Sequence, residues 1–433
     1  LKRPFLLPGL WIFVLLVPLS AADGPVTRAE KAGLTAVARA WASLASWCKT
    51  NKVRAEGLAA ADAGLRACPG DKKLTGLRED LAALPDEEAD EEKKKKYGRE
   101  RDKACKKIAG TYLKLFAVRP PKDVPARFYG YMVRTVELRP TDKKTWSAYL
   151  AAFSKLAAKK EWEGVGALAA GAARVGAPKA VAARFLSLLA KAAQDRPIRL
   201  GASAHDMEYF LSLPKGWSPR KKHHLLVTCE GAGSNFLGNH RGFVKRRGDL
   251  PLVIITPCTF STTNALVHKK YNYPRELVDK YQSGPRITFD EEGILCAVRD
   301  VTGKFHCFEK FFITGFSGGG NPTYLFVFKH PDKLAGAVPC CANFSGQGLR
   351  SAKPPSQGLD MPIHILTGAK DPHREWTHGK VGSPGIEPQT DAAEKLLKER
   401  GYTDVRRTMV PGVGHSALPG KVIEFIAEQI KKK

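Results

Sequence analysis

An apolar run ending at Thr314 meets Gly315-Phe316-Ser317-Gly318-Gly319-Gly320 and then a second apolar run, in the stretch FITGFSGGGNPTYLFVF. The pattern predicts a strand, a tight turn and a helix, with Ser317 at the apex. A serine forced into a strained strand-to-helix turn needs small residues two places before and after it, because side chains there would collide with the adjoining backbone. Gly315 and Gly319 meet that need. The turn would lift the hydroxyl clear of the sheet and set it at the positive end of the following helix, whose free N–H groups can stabilise an oxyanion. In a chain with 40 glycines such a turn also arises without chemistry. The rest of the chain has to decide the reading.

Two later loops supply an acid and a base in the order that a sheet of this kind requires. PIHILTGAKDPH predicts a buried strand from Pro362 to Leu366 and then a loop holding Asp371. VRRTMVPGVGHSALP predicts a strand from Val405 to Val410 and a loop in which Gly412 and Gly414 leave room for His415 to turn back toward Ser317. Both loops follow strand C-terminal ends, where open parallel sheets bind ligands. The expected chemistry is proton transfer from Ser317 to neutral His415, with Asp371 fixing the imidazole tautomer. Asp391, on the next helix, is a rival acid. For the oxyanion, one donor is expected at the N–H of Gly318 and the other at Ala232, with Gly233 close behind, in the loop after a strand from His224 to Cys229.

These segments resemble a known group. Residues 198–433 are similar to the α/β-hydrolase superfamily, and more narrowly to its polyhydroxybutyrate depolymerase, feruloyl esterase and dienelactone hydrolase-like serine esterases. The resemblance is carried by LSLPKGWSPRKKHHLLVTCEGAGSNF, FDEEGILCAVRD, ITGFSGGG, HPDKLAGAVPCCANF and the loops of Asp371 and His415. Those esterases usually carry His-Gly where this chain has Glu230-Gly231. The resemblance implies a serine hydrolase acting on carboxylic esters, with neither metal nor organic cofactor. The alternation of the remaining segments agrees with a doubly wound, mostly parallel sheet. LPLVIITPCTF reads as a strand covered on both faces. Asp290 reads as the N-cap of a helix through Val298 to Val301, and helix followed by strand is preferred to a hairpin over Cys296 to Cys307.

Three parts are expected. Residues 1–22 read as a cleaved secretory signal, with Lys2 and Arg3 ahead of an apolar stretch from Phe5 to Leu19 and small residues up to Ala22. That stretch falls short of the roughly 20 residues that span a bilayer, so stable membrane insertion is not expected and the protein is expected to be secreted or periplasmic. Residues 23–197, rich in alanine, leucine and lysine, read as an all-α domain of helical hairpins. It contains a repeated Pro-x-Asp-Lys-Lys break at Pro69 and Pro140 and resembles a degenerate tetratricopeptide array, with a plain helical bundle as the alternative. Such a domain could hold a protein partner. In EEADEEKKKK, carboxylates four residues ahead of lysines favour a solvated helix.

The formal charge of +27 is spread along the chain without a basic stripe or a nucleic-acid motif, so nucleic acid is not an expected partner and acidic polysaccharide or an anionic envelope surface is the simpler one. The nine cysteines are compatible with some disulfides, their odd number leaving at least one unpaired. Cys340 and Cys341 read as buried strand thiols, and the histidines lack metal-ligand spacing. The expected substrate is an ester, polysaccharide-linked or polymeric among the options. A prolyl-oligopeptidase-like peptidase and an inactive scaffold are the alternatives. The pocket should be shaped by the loops 259–272 and 374–388, with Phe236, Phe260 and Trp376 as candidate walls.

Overall fold

The computed structural model describes residues 28–86, 89–117, 126–159, 161–263, 265–271, 273–344, 349, 354–375 and 384–432. Residues 1–22, read as a signal peptide, and Trp376 lie outside them. The chain forms two compact units that divide between Ala152 and Phe153.

In the first unit α1 (Arg28–Thr50), α2 (Arg54–Ala67), α3 (Lys72–Ala82), α4 (Glu91–Ala117), α5 (Ala126–Leu138) and the start of α6 (Lys143–Ala158) follow one another. On α4 the buried residues are Cys105, Ile108, Ala109, Tyr112 and Leu115, a three-and-four spacing that gives a helix one apolar stripe. The two Pro-x-Asp-Lys-Lys breaks do the same local job. The Asp71 carboxylate accepts from Leu74 N at 3.1 Å and that of Asp142 from Thr145 N at 2.9 Å, so each repeat supplies a helix N-cap. Lys96 pairs with Glu92 at 2.8 Å on the exposed start of α4, as the charge spacing predicts.

The second unit contains α7 (Trp162–Val175), α8 (Lys179–Asp195) and an eight-stranded sheet. Its strands are β1 (Ile198–Gly201), β2 (Glu208–Ser212), β3 (His224–Cys229), β4 (Leu252–Pro257), β5 (Phe311–Phe316), β6 (Leu334–Cys340), β7 (Ile363–Gly368) and β8 (Val405–Val410). They lie in the order β1-β2-β4-β3-β5-β6-β7-β8. The first two are antiparallel, and every pairing from β4 to β8 is parallel. This is the order and direction of an α/β-hydrolase sheet. Helices α9 (Phe236–Arg247), α10 (Arg275–Lys280), α11 (Arg286–Phe305), α12 (Gly320–Lys329), α13 (Ile386–Glu399) and α14 (Pro419–Lys431) complete the unit. Every residue of β4 and β6 is buried, which explains why their sequences are continuous apolar runs rather than alternating ones. One core cluster joins Phe243 of α9 and Val422, Phe425 and Ile426 of α14 to Leu226, Ile254, Phe312 and Leu366 of the sheet.

Two local expectations are corrected. Helix α11 starts at Arg286, so Asp290 sits inside it rather than capping it. Pro285 precedes the first turn, where a missing N–H costs nothing, and the carboxylate is freed for another task described below. Cys341 lies one residue beyond β6, with φ +40°. All nine cysteines are unpaired, and all but Cys68 are buried.

Beneath the first strands, His240 is fully buried between Thr256 Oγ1 at 2.9 Å from Nδ1 and Ser212 Oγ at 2.8 Å from Nε2. Burial, with Arg247 and Arg241 nearby, pushes its pKa down to about 3, so it is neutral in the folded protein. Its ordinary value is 6.5, and the unfolded chain therefore takes up a proton that the native state refuses. Stability drawn from this site is lost as pH falls from the ordinary value toward the folded one. We expect His240→Ala to lower unfolding free energy by about 3 kcal/mol, from the cavity and the Ser212 hydroxyl left without its imidazole partner, Thr256 keeping its bond to Thr228. An unchanged urea midpoint would show that the network adds nothing.

Candidate active site

Strand β5 lies between β3 and β6 and delivers Ser317 to the C-terminal edge of the sheet. A short 3-10 turn, Ser317–Gly319, then leads into α12. Ser317 adopts φ +51°, a left-handed conformation that costs a side-chain-bearing residue about 1 kcal/mol. The surroundings hold it there. Its N–H donates to Cys341 O at 3.1 Å, and its carbonyl accepts from Asn343 N at 2.8 Å. The flanking glycines are required by close approach: a Cβ on Gly315 would lie 2.0 Å from Gly319 O, and one on Gly319 would lie 2.3 Å from Cys229 O. Helix, strand and neighbouring loop come too near for any side chain.

The candidate acid and base follow the last two parallel strands, β7 and β8. After β7 the chain turns at once, with Asp371 N bonded to Gly368 O at 3.1 Å. One oxygen of Asp371 accepts from His373 N at 2.8 Å, which fixes the carboxylate within its own turn. The other lies 2.7 Å from Nδ1 of His415, in the loop after β8. The two loops are zipped together by backbone bonds from Ala369 N to Val410 O at 3.0 Å and from Lys370 N to Val413 O at 2.7 Å. A carboxylate only accepts, so Nδ1 carries the proton and Nε2 of the neutral ring is the acceptor. The His415 ring lies 4.6 Å from the ring of Phe316, the residue before Ser317. Asp391, the rival acid, is paired instead with Arg407 of β8 at 2.6 Å.

Beyond β3 the loop bearing Glu230, Gly231, Ala232 and Gly233 passes directly over the serine turn. A Cβ on Gly231 would sit 3.1 Å from Cβ of Ser317. Ala232 is exposed, and among the described residues its N–H has no acceptor within the chain. Gly318 is buried; a side chain there would strike Thr262 O, 1.9 Å from its Cβ position. Glu230 is buried at the base of this loop. Burial pushes its carboxyl up to about 7, against the opposing pull of the N–H groups of Gly231 and Asn235.

Asp290, Tyr271 and Cys341 stand around the site in positions that their sequence contexts do not announce. Asp290 accepts from Phe260 N at 2.7 Å, Ser261 N at 2.8 Å and Ser261 Oγ at 2.5 Å, and so fixes the loop whose Thr262 faces Gly318. Complete burial pushes its carboxyl up to about 7 despite those donors. Tyr271 places its hydroxyl 3.3 Å from Ser234 Oγ beside the Gly231–Gly233 loop. Cys341 Sγ, an Asp371 oxygen and a His415 nitrogen lie within 4.8 Å of one another. That donor set suits a soft divalent cation. The thiol, however, is pushed up to about 11, mainly by burial, and the other two groups already bond each other. The candidate walls Phe236 and Phe260 are buried instead, packed against Tyr271, and Phe260 also stacks on Phe289. No signal in the sequence separates these roles from packing, because each partner comes from a distant segment.

No family model matches the chain, and neither does any curated protein. Solved structures similar to about half of it include a thermostable esterase, at 19% identity and TM-score 0.36 over 55% of this chain and 61% of that one. A poly(aspartic acid) hydrolase-1 from Sphingomonas sp. KT-1 matches at 17% identity and TM-score 0.38, covering 55% of this chain and 98% of that one. A poly(3-hydroxybutyrate) depolymerase from Bordetella parapertussis matches at 14% identity and TM-score 0.37, covering 55% and 90%.

Proposed function

We propose that residues 198–433 form a serine hydrolase that cleaves carboxylic esters through an acyl-enzyme on Ser317. The observation that carries this reading is the pairing of His415 Nδ1 with Asp371 at 2.7 Å beside a serine held at φ +51° on a strand-to-helix turn. In the first half-reaction Oγ of Ser317 attacks the acyl carbon while its proton passes to Nε2 of His415. The N–H groups of Gly318 and Ala232 receive the negative charge that gathers on the former carbonyl oxygen. Collapse of this intermediate breaks the ester C–O bond, and the departing alkoxide takes the proton from His415. Water then repeats the sequence on the acyl-enzyme, releasing the acid and restoring Ser317. Asp371 holds the ring orientation throughout and stabilises the transient imidazolium.

Ester cleavage is preferred to peptide cleavage because the described residues of the first unit form helices joined by short turns and contribute no strand to a β-propeller such as peptidases of the prolyl-oligopeptidase type carry. The reading extends to an exported enzyme whose helical region docks a protein. Among the described residues no helix is long and apolar enough to cross a membrane. A fluorophosphonate probe tests the nucleophile directly: we expect labelling of Ser317 that Ser317→Ala abolishes. Ester and peptide substrates offered in parallel then separate the two hydrolase classes. Folded protein that neither labels nor turns over esters would sink the proposal.

A further inference from the structure

A second chemically distinctive surface lies at the other edge of the same sheet. Ser317 follows the C-terminal end of β5, whereas Phe308, Glu309 and Lys310 precede its N-terminal end. A strand of that length separates the two by about 20 Å. There a cavity of about 640 Å³ is lined by Lys222, His224, Phe308, Glu309, Lys310 and Ile430. Phe308 is 39% exposed, yet its place is fixed. Its N–H donates to His223 O at 2.9 Å, and its ring lies 4.6 Å from that of His224. Lys222 Nζ stands 5.6 Å from the ring centroid. Lys222, Glu309 and Lys310 are exposed, and among the described residues none of the three has an oppositely charged partner.

We propose that this cavity binds an acidic polysaccharide by its uronate rings. The face of a sugar ring is apolar and matches the exposed Phe308 ring. The uronate carboxylate meets the ammonium groups of Lys222 and Lys310, and sugar hydroxyls donate to the Glu309 carboxylate. The cations are lysines, point charges suited to a single carboxylate, with no arginine fork for phosphate. A chain charge of +27 would draw an anionic polymer to the surface before these contacts select it. The proposal is independent of the reading of Ser317.

The test titrates the full chain with polygalacturonate oligomers, neutral dextran and a DNA oligomer by calorimetry in about 0.15 M salt. We expect saturable uronate binding that weakens about tenfold in Phe308→Ala and at least as much in the Lys222→Ala, Lys310→Ala pair, equivalent to the loss of one modest contact. Circular dichroism should be unchanged in all of them, which separates lost contacts from lost fold. Absence of saturable uronate binding overturns the proposal. So does wild-type affinity in Phe308→Ala, or equal affinity for uronate and DNA, since either would leave net charge as the whole cause.

Discussion

Ser317→Ala and His415→Ala are each expected to lower kcat on a short-chain acyl ester by about 10⁴ to 10⁶-fold, with little change in KM. A loss of this size corresponds to about 5 to 8 kcal/mol of transition-state stabilisation. It follows from the division of labour in the site. Without Oγ there is no acyl-enzyme, and without the imidazole the hydroxyl keeps its proton. The two effects should not add, because each variant disables the same step. Asp371→Asn is expected to cost about 10⁴-fold, since an amide can turn its NH₂ toward Nδ1 and favour the wrong tautomer. Asp391→Asn should change turnover little, because its partner is Arg407. Progress curves for the four variants beside the parent decide the matter. Parent-like rates in Ser317→Ala would remove Ser317 from the chemistry, and a collapse in Asp391→Asn would reassign the acid.

Glu230 is expected to impose an alkaline limb on kcat/KM. Its carboxyl is pushed up from 4.5 to about 7 by burial, so it is uncharged on the acid side of that value and anionic above it. The adjoining Gly231 lies against Ser317. An anion there opposes the negative charge that must form on the substrate oxygen. Activity should therefore fall as pH rises through about 7, and Glu230→Gln, which stays neutral, should exceed the parent about tenfold near pH 9. Stability gives a separate readout. The unfolded chain releases this proton at the ordinary value while the folded protein retains it up to the raised one. Stability associated with the protonated carboxyl is thus fully present below 4.5 and lost as pH rises through about 7. Glu230→Gln should accordingly melt higher than the parent at about pH 8 and alike at about pH 4. Superimposable pH–rate profiles would show that the charge of Glu230 has no bearing on turnover.

The line from sequence to site was short where a local rule governed each step. Small residues around Ser317 are demanded by backbone approaches only a few residues away, so FITGFSGGG announces the turn by itself. The strand ahead of Asp371 is legible because a parallel strand covered on both faces is largely apolar. Val405 to Val410 is legible although no residue of this edge strand is buried, since Val405, Thr408 and Val410 are β-branched. The Pro-x-Asp-Lys-Lys repeats likewise announce two helix starts, because an N-cap needs only its own next three residues.

Roles that join distant segments were not legible. Asp290 looked like a cap because an aspartate before two glutamates usually is one. Only the folded chain brings Phe260 and Ser261 to its carboxylate, from 30 and 29 positions away in sequence. The choice between Asp371 and Asp391 likewise waited on the sheet order, which sets one beside His415 and the other beside Arg407. Sequence alone determined the strand-to-helix turn at Ser317, the strand–helix alternation and the order of the candidate catalytic residues, because sterics and burial act there over a few neighbours. Tertiary structure alone decided which acid meets the base, which carboxyls lose their solvent and where cations gather around an exposed ring, because electrostatic environment depends on chain segments that meet only on folding.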